Sequence, residues 1–105
     1  MMDDNKQLGR IEEMESILNR LTTVLSEADG LLTEMEGAIP SYEKIKQYYC
    51  GPLQREDVDA YDAGKIPPDV PCGVLSEDAI YNLFFEYRNT AIRMLELATT
   101  MVKVA

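Results

Sequence analysis

Apolar residues recur at alternating steps of three and four through the first half of the chain. Ile11, Met14, Leu18, Leu21, Leu25, Ala28, Leu32, Met35, Ile39 and Tyr42 form this row. It is the a/d seam of a heptad repeat, and it predicts a long helix. A second row, Ile17, Val24, Leu31, Ala38 and Ile45, returns every seven residues at the g position. Three apolar positions per heptad make a wide stripe, which suits a helix packed against more than one neighbour. The outer face is polar, with Glu12, Glu13, Asn19, Arg20, Ser26, Glu27, Thr33 and Glu34.

Gly30, Gly37 and Pro40 disturb this helix. Each glycine costs about 1 kcal/mol relative to alanine, and an interior proline costs ~3 kcal/mol. The heptad phase nevertheless passes through Pro40 without a skip, from Met35 to Ile39 to Tyr42. An unbroken frame favours a first helix kinked near Pro40; a true break is the alternative. The helix should end near Cys50, where Gly51 can take a left-handed cap and Pro52 blocks continuation.

Residues 50–75, "CGPLQREDVDAYDAGKIPPDVPCGVL", are punctuated by proline and glycine and read as a folded connector. Within it "QREDVDAYDAG" predicts a short helix of one or two turns ending at Gly64. The second long helix should begin at Ser76, an N-cap residue. Glu77 and Asp78 follow where negative charge meets the helix dipole, and Leu75 and Ile80 have the spacing of a hydrophobic staple. Its core row is Ile80, Phe84, Tyr87, Ala91, Met94, Ala98 and Met101.

These elements predict an all-α fold, a single helical domain over residues 1–105. Its architecture is a long antiparallel helical hairpin, with the connector returning the second helix along the first. The aromatics all fall within residues 42–87, so an aromatic cluster is expected at the connector end. Helix one, at about 40 residues, would reach ~60 Å, and helix two, at about 28, only ~42 Å. The shorter helix then leaves Leu8, Ile11, Met14, Ile17 and Leu18 without an intrachain partner. A stripe of that length predicts a homodimer, most simply antiparallel, or another protein partner. A break at Pro40 would remove the overhang.

Charge narrows the partners. The chain has 105 residues and a formal charge of −9. Acids outnumber bases in residues 1–51 (10 to 5), in 52–75 (5 to 2) and in 76–105 (4 to 3). Nucleic acid and anionic membrane surfaces are therefore not expected partners. The start "MMDDNKQLGR" has no apolar run, so no leader is expected, and a cytoplasmic, bacterial-like protein is the reading. Cys50 and Cys72 would then be free thiols.

Catalytic chemistry finds little to use. With no His in the chain, a histidine base or ligand is excluded. Glu56, Asp57, Asp59, Asp62 and Asp69 fail the calcium-loop pattern, since Tyr61, Asp62 and Pro68 occupy the third ligand, glycine and last positions. Cys72 lies among acids that oppose a thiolate. No catalytic residue, metal ligand or cofactor is expected.

One stretch carries a resemblance. "GVLSEDAIYNLFFEYRNTAIRMLELA", preceded by "AGKIPPD" and by a helix opening "RIEEMESIL", resembles an uncharacterised bacterial domain-of-unknown-function family, number 4298. The likeness spans about residues 10–98, and its most specific part is Gly73 to Tyr81. It implies a small all-helical protein and no activity. The family's aromatic early in the connector, often Trp, is missing here, and Leu53 is the stand-in. The function expected is a non-enzymatic interaction or homo-oligomerisation module. The alternative is a small-molecule or cation-binding domain where the connector meets the helices. There Tyr48, Tyr49, Tyr61 and Tyr81 would supply an amphipathic wall, with Arg55 and Asp78 as polar groups.

Overall fold

The computed structural model describes the backbone of residues 2–105 and the side chains of residues 4–105. Three α-helices and one 3-10 turn make up the fold, and no strand occurs among the described residues. Helix α1 spans Met2–Cys50, α2 spans Pro52–Asp62 and α3 spans Glu77–Val104; the 3-10 turn is Gly73–Leu75. The chain is all-α, with two long helices and a connector that carries a short one. No helix among the described residues is long and apolar enough to cross a membrane.

Helix α1 is longer than its apolar pattern predicts. Asp4, Asn5, Lys6 and Gln7 extend it at the start without adding to the seam. It also runs through Pro40 unbroken, so the two-helix alternative does not hold. Pro40 offers no N–H to the Glu36 carbonyl, but Glu36 is exposed, so water can satisfy that oxygen.

The chain divides into two compact units, Met1–Lys44 and Ile45–Ala105. The first is a length of α1 alone. Its seam residues are exposed, except for the half-buried Met35 and Tyr42. The second unit holds the last residues of α1, the connector and α3.

Within the second unit the local chemistry is easily traced. Gly51 does not adopt the expected left-handed cap. Its backbone is extended (φ −99°, ψ 179°), and it serves as N-cap of α2, with Pro52 opening the helix. Proline suits a first helical position because its missing N–H has no partner there anyway. A side chain at Gly51 would bring Cβ to 3.1 Å from the Gln47 carbonyl oxygen, so close approach explains this glycine.

Helix α2 ends in a Schellman motif. The Lys65 N–H donates to the Ala60 carbonyl and the Gly64 N–H to the Tyr61 carbonyl, both at 3.0 Å. Gly64 sits between them at φ +72°, in the left-handed region that costs other residues ~1–2 kcal/mol. Gly64→Ala should therefore lower the stability of the second unit, followed by urea unfolding, by about 1 kcal/mol. Gly37→Ala should act in the opposite direction. Its added Cβ meets nothing, and the helix gains ~0.8–1 kcal/mol. Equal effects from the two substitutions would contradict this assignment.

Helix α3 starts where the sequence predicts. Ser76 is its N-cap, with extended backbone, but its hydroxyl makes no capping hydrogen bond. Glu77 and Asp78 occupy the first turn. The expected core row is only partly buried. Ile80 is 2% exposed and is the one buried apolar residue among those described. Phe84 and Met94 are half-buried, whereas Tyr87, Ala91, Ala98 and Met101 are exposed. The 3-10 turn packs on the start of α3, and α2 packs on that turn. Burial is therefore concentrated where the connector folds back.

Candidate functional site

Two surfaces gather the residues that sequence reasoning singled out. The first lies in the second unit. Gln54, Arg55 and Val58 from α2, Tyr49 from the last turn of α1, Leu75 from the 3-10 turn and Glu77 from α3 line a cleft of about 370 Å³. Tyr49 is fixed by an edge-on contact with the Phe84 ring, with centroids 5.5 Å apart and planes at 82°. Such pairs add about 0.5–1.5 kcal/mol beyond area burial. This is the aromatic meeting of the first and second long helices expected at the connector end.

Of the six expected contact residues, the cleft takes Tyr49 and Arg55. Tyr48 is half-buried beside it and bonded to Asp57. Tyr61, Asp78 and Tyr81 are exposed and do not line it. Helix geometry explains why Glu77 lines the cleft in place of Asp78. Glu77 precedes the buried Ile80 by three residues, about 60° around the helix, while Asp78 and Tyr81 lie ~160° and ~100° from it. Gln54 carried no signal in the sequence. Leu75 was expected as one half of a hydrophobic staple.

The polar groups of this cleft are weakly organised. Arg55 Nε lies 3.7 Å from Asp59 Oδ1, and the two side chains are 82% and 68% exposed. An exposed pair of that kind is typically worth about 0–1 kcal/mol. Among the described residues no buried side-chain polar atom lacks a partner. No group of three or more Cys, Asp or Glu is placed to hold a metal ion there either. Cys50 is exposed and Cys72 half-buried, both free. The Cys72 thiol donates to the Val70 carbonyl at 3.3 Å. No nucleophile is paired with a base by these contacts.

One titration is distinctive. The Tyr48 hydroxyl donates to Asp57 Oδ2 at 2.6 Å, across the corner made by Gly51 and Pro52. That hydrogen bond first, then desolvation and the Asp57 charge, push the phenol up to about 12. An ordinary tyrosine ionises near 10. The folded state thus holds the neutral phenol more strongly than the unfolded chain does. Its contribution is fully present below about pH 10 and is lost as pH rises through about 12. Tyr48→Phe should flatten the fall in urea midpoint over that window. Equal slopes for the two proteins would contradict the assignment.

The second surface is the stripe on α1, in the first unit. Leu8, Ile11, Met14, Ile17 and Leu18 are each 44–58% exposed. Leu21, Val24, Leu25, Leu31 and Leu32 extend the exposed row well past the five residues expected to overhang. The polar flank beside it carries Glu15, Thr22, Asp29 and Glu36 at the e positions. Gly30 and Gly37 fall at f, on the opposite face, where an added Cβ meets nothing.

Comparison with known proteins gives one match. The sequence model of a family described as a domain of unknown function, DUF4298, matches residues 11–97. No curated protein and no solved structure matches the chain.

Proposed function

The chain belongs to the DUF4298 family, and from that premise we propose that it is a non-enzymatic protein–protein interaction or homo-oligomerisation module. The observation that carries this reading is the exposed apolar row on α1, from Leu8 to Leu32. Ten large apolar side chains of that row share one face by heptad spacing and are all exposed. Soluble monomers rarely expose contiguous apolar patches beyond a few hundred Å², and such stripes are the standard means of helix–helix association. The polar outer face, with Glu12, Glu13, Arg20 and Glu27, gives the stripe a defined edge. The −9 charge favours a protein partner over nucleic acid or anionic lipid.

Association stabilises the native state by mass action, so the melting temperature should rise with protein concentration. A midpoint that stays constant from low to high micromolar concentration would remove self-association as the role of the stripe.

A second reading has one observation in its favour. Tyr49 and Arg55 do line a common cleft, which is the place expected for a small-molecule or cation site. A ligand held there raises the melting temperature of the wild type and not that of Arg55→Ala. A screen of metal ions and metabolites giving no such difference would eliminate this reading.

A further inference from the structure

The exposed face of α1 has a charge pattern that selects its occupant. We infer that a second copy of this chain covers residues 11–28 of α1 in antiparallel orientation, with Leu18 facing the partner's Leu21. This rests on the interaction-module reading and names the partner and the register.

Three observations carry it. The first is exposure. Every large apolar side chain of the row from Leu8 to Leu32 is 44–58% exposed in the single chain, so the chain's own residues leave the row open.

The second is the position of the third apolar row. Parallel helices bring g positions against e′ positions. Here that would set Ile17 against Thr22, Val24 against Asp29 and Leu31 against Glu36, and only Arg10 against Glu15 would gain. Antiparallel helices bring g against g′ and e against e′. Ile17 then meets the partner's Val24, apolar on apolar, and the e residues are left on the other flank.

The third is that one antiparallel register avoids acid against acid. With Leu18 facing the partner's Leu21, the remaining seam layers pair Met14 with Leu25 and Ile11 with Ala28. On the e flank Glu15 faces Thr22 and Leu8 faces Asp29. Sliding one helix by a heptad in one direction sets Glu15 against Glu15. Sliding it in the other sets Glu15 against Asp29. Like charges facing each other across a helix pair are destabilising, so the central register is preferred to both of its neighbours.

The area is sufficient. Ile11, Met14, Ile17, Leu18, Leu21, Val24 and Leu25 are each 44–58% exposed. Covering them and Ala28 on both chains removes on the order of 1,000–1,500 Å² from water, which reaches the range of specific interfaces. The paired segment is also short enough for straight helices. A heptad seam drifts ~20° per heptad on a straight helix, so the two and a half heptads from Ile11 to Ala28 drift only about 50°.

Thr22 provides the test, because it is exposed on α1 and tolerates a charge. Thr22→Lys places a lysine against the partner's Glu15, twice per dimer by symmetry. The expected result by sedimentation is association tightened about five-fold in Thr22→Lys and weakened by a similar factor in Thr22→Glu. In a parallel dimer Thr22 faces Ile17, and the two variants change affinity alike. In the register that places Thr22 against Thr22, both weaken it. Either outcome overturns the antiparallel register and leaves the module reading standing. A wild-type chain that does not self-associate overturns the inference together with self-association as the role of the stripe. Disulfide mapping gives an independent readout in a Cys50→Ser, Cys72→Ser background. Mixed Leu18→Cys and Leu21→Cys chains should cross-link to each other under mild oxidation. Cross-links confined to like chains would overturn the register.

Discussion

Leu18→Glu combined with Leu21→Glu is expected to abolish the self-association inferred for α1. The two leucines face each other at the centre of the inferred pairing, so the double substitution places four glutamates in its middle layers. Burying a leucine completely is worth ~1.5–3 kcal/mol, and Leu18 and Leu21, 58% and 54% exposed in the single chain, have a little over half of that to lose. The sum over two chains is about 3–7 kcal/mol, which weakens association by more than ~10²-fold. Both leucines are exposed in the single chain, and glutamate is nearly as good a helix former as leucine. The substitution therefore acts on association and leaves the second unit's own packing untouched. Leu18→Ile with Leu21→Ile is the control and should stay dimeric. A double glutamate variant that still associates like the wild type would place the interface elsewhere.

Ile80→Ala should give the largest loss of stability from a single substitution. Ile80 is 2% exposed, and among the described residues it is the one apolar side chain fully withdrawn from water. Truncating a buried isoleucine to alanine costs ~2–5 kcal/mol, because the transfer term and the cavity term add. In a unit of this size that is a fall of roughly 10 °C or more in melting temperature. Near-ultraviolet circular dichroism should report it through the tyrosines, since the chain has no Trp. Leu95→Ala makes the contrast. Leu95 is 70% exposed, and surface changes of that kind usually stay within about ±0.5 kcal/mol. A loss below about 1 kcal/mol at Ile80 would mean that the connector is held by something other than this contact.

The second unit shows which features the sequence made legible. The end of α1 at Cys50, the stop of the short helix at Gly64 and the start of α3 after Ser76 were all readable. Each is decided by one or two residues acting on their own backbone: a proline, a glycine at positive φ, an N-cap. Gly51 was misread because its role depends on the helix that follows it. With Pro52 opening α2 at once, the glycine serves as an extended N-cap pressed against the Gln47 carbonyl. Ser76 takes the capping position without making the capping bond.

The candidate sites divide in the same way. Periodicity identified which residues share a face, and so the α1 stripe was legible from Leu8 to Leu18. Periodicity does not say what lies on a face. Leu21 to Leu32 were expected to be covered and are exposed, as are Ala91, Ala98 and Met101 on α3. The connector cleft was legible at Tyr49 and Arg55. Its partners Gln54 and Glu77 come together only when α2 and the 3-10 turn fold against α3, and no local pattern announces that. The Tyr48–Asp57 hydrogen bond is of the same kind. It joins residues nine apart across a corner, beyond the reach of helical spacing.

The central claim is that the exposed stripe of α1 is an interface filled by a second copy of the chain. Sedimentation equilibrium of the unmodified protein, followed from low to high micromolar concentration, tests it most directly. A weight-average mass climbing from 11.9 kDa towards twice that value is the predicted result. A mass constant at 11.9 kDa across the whole range would contradict it.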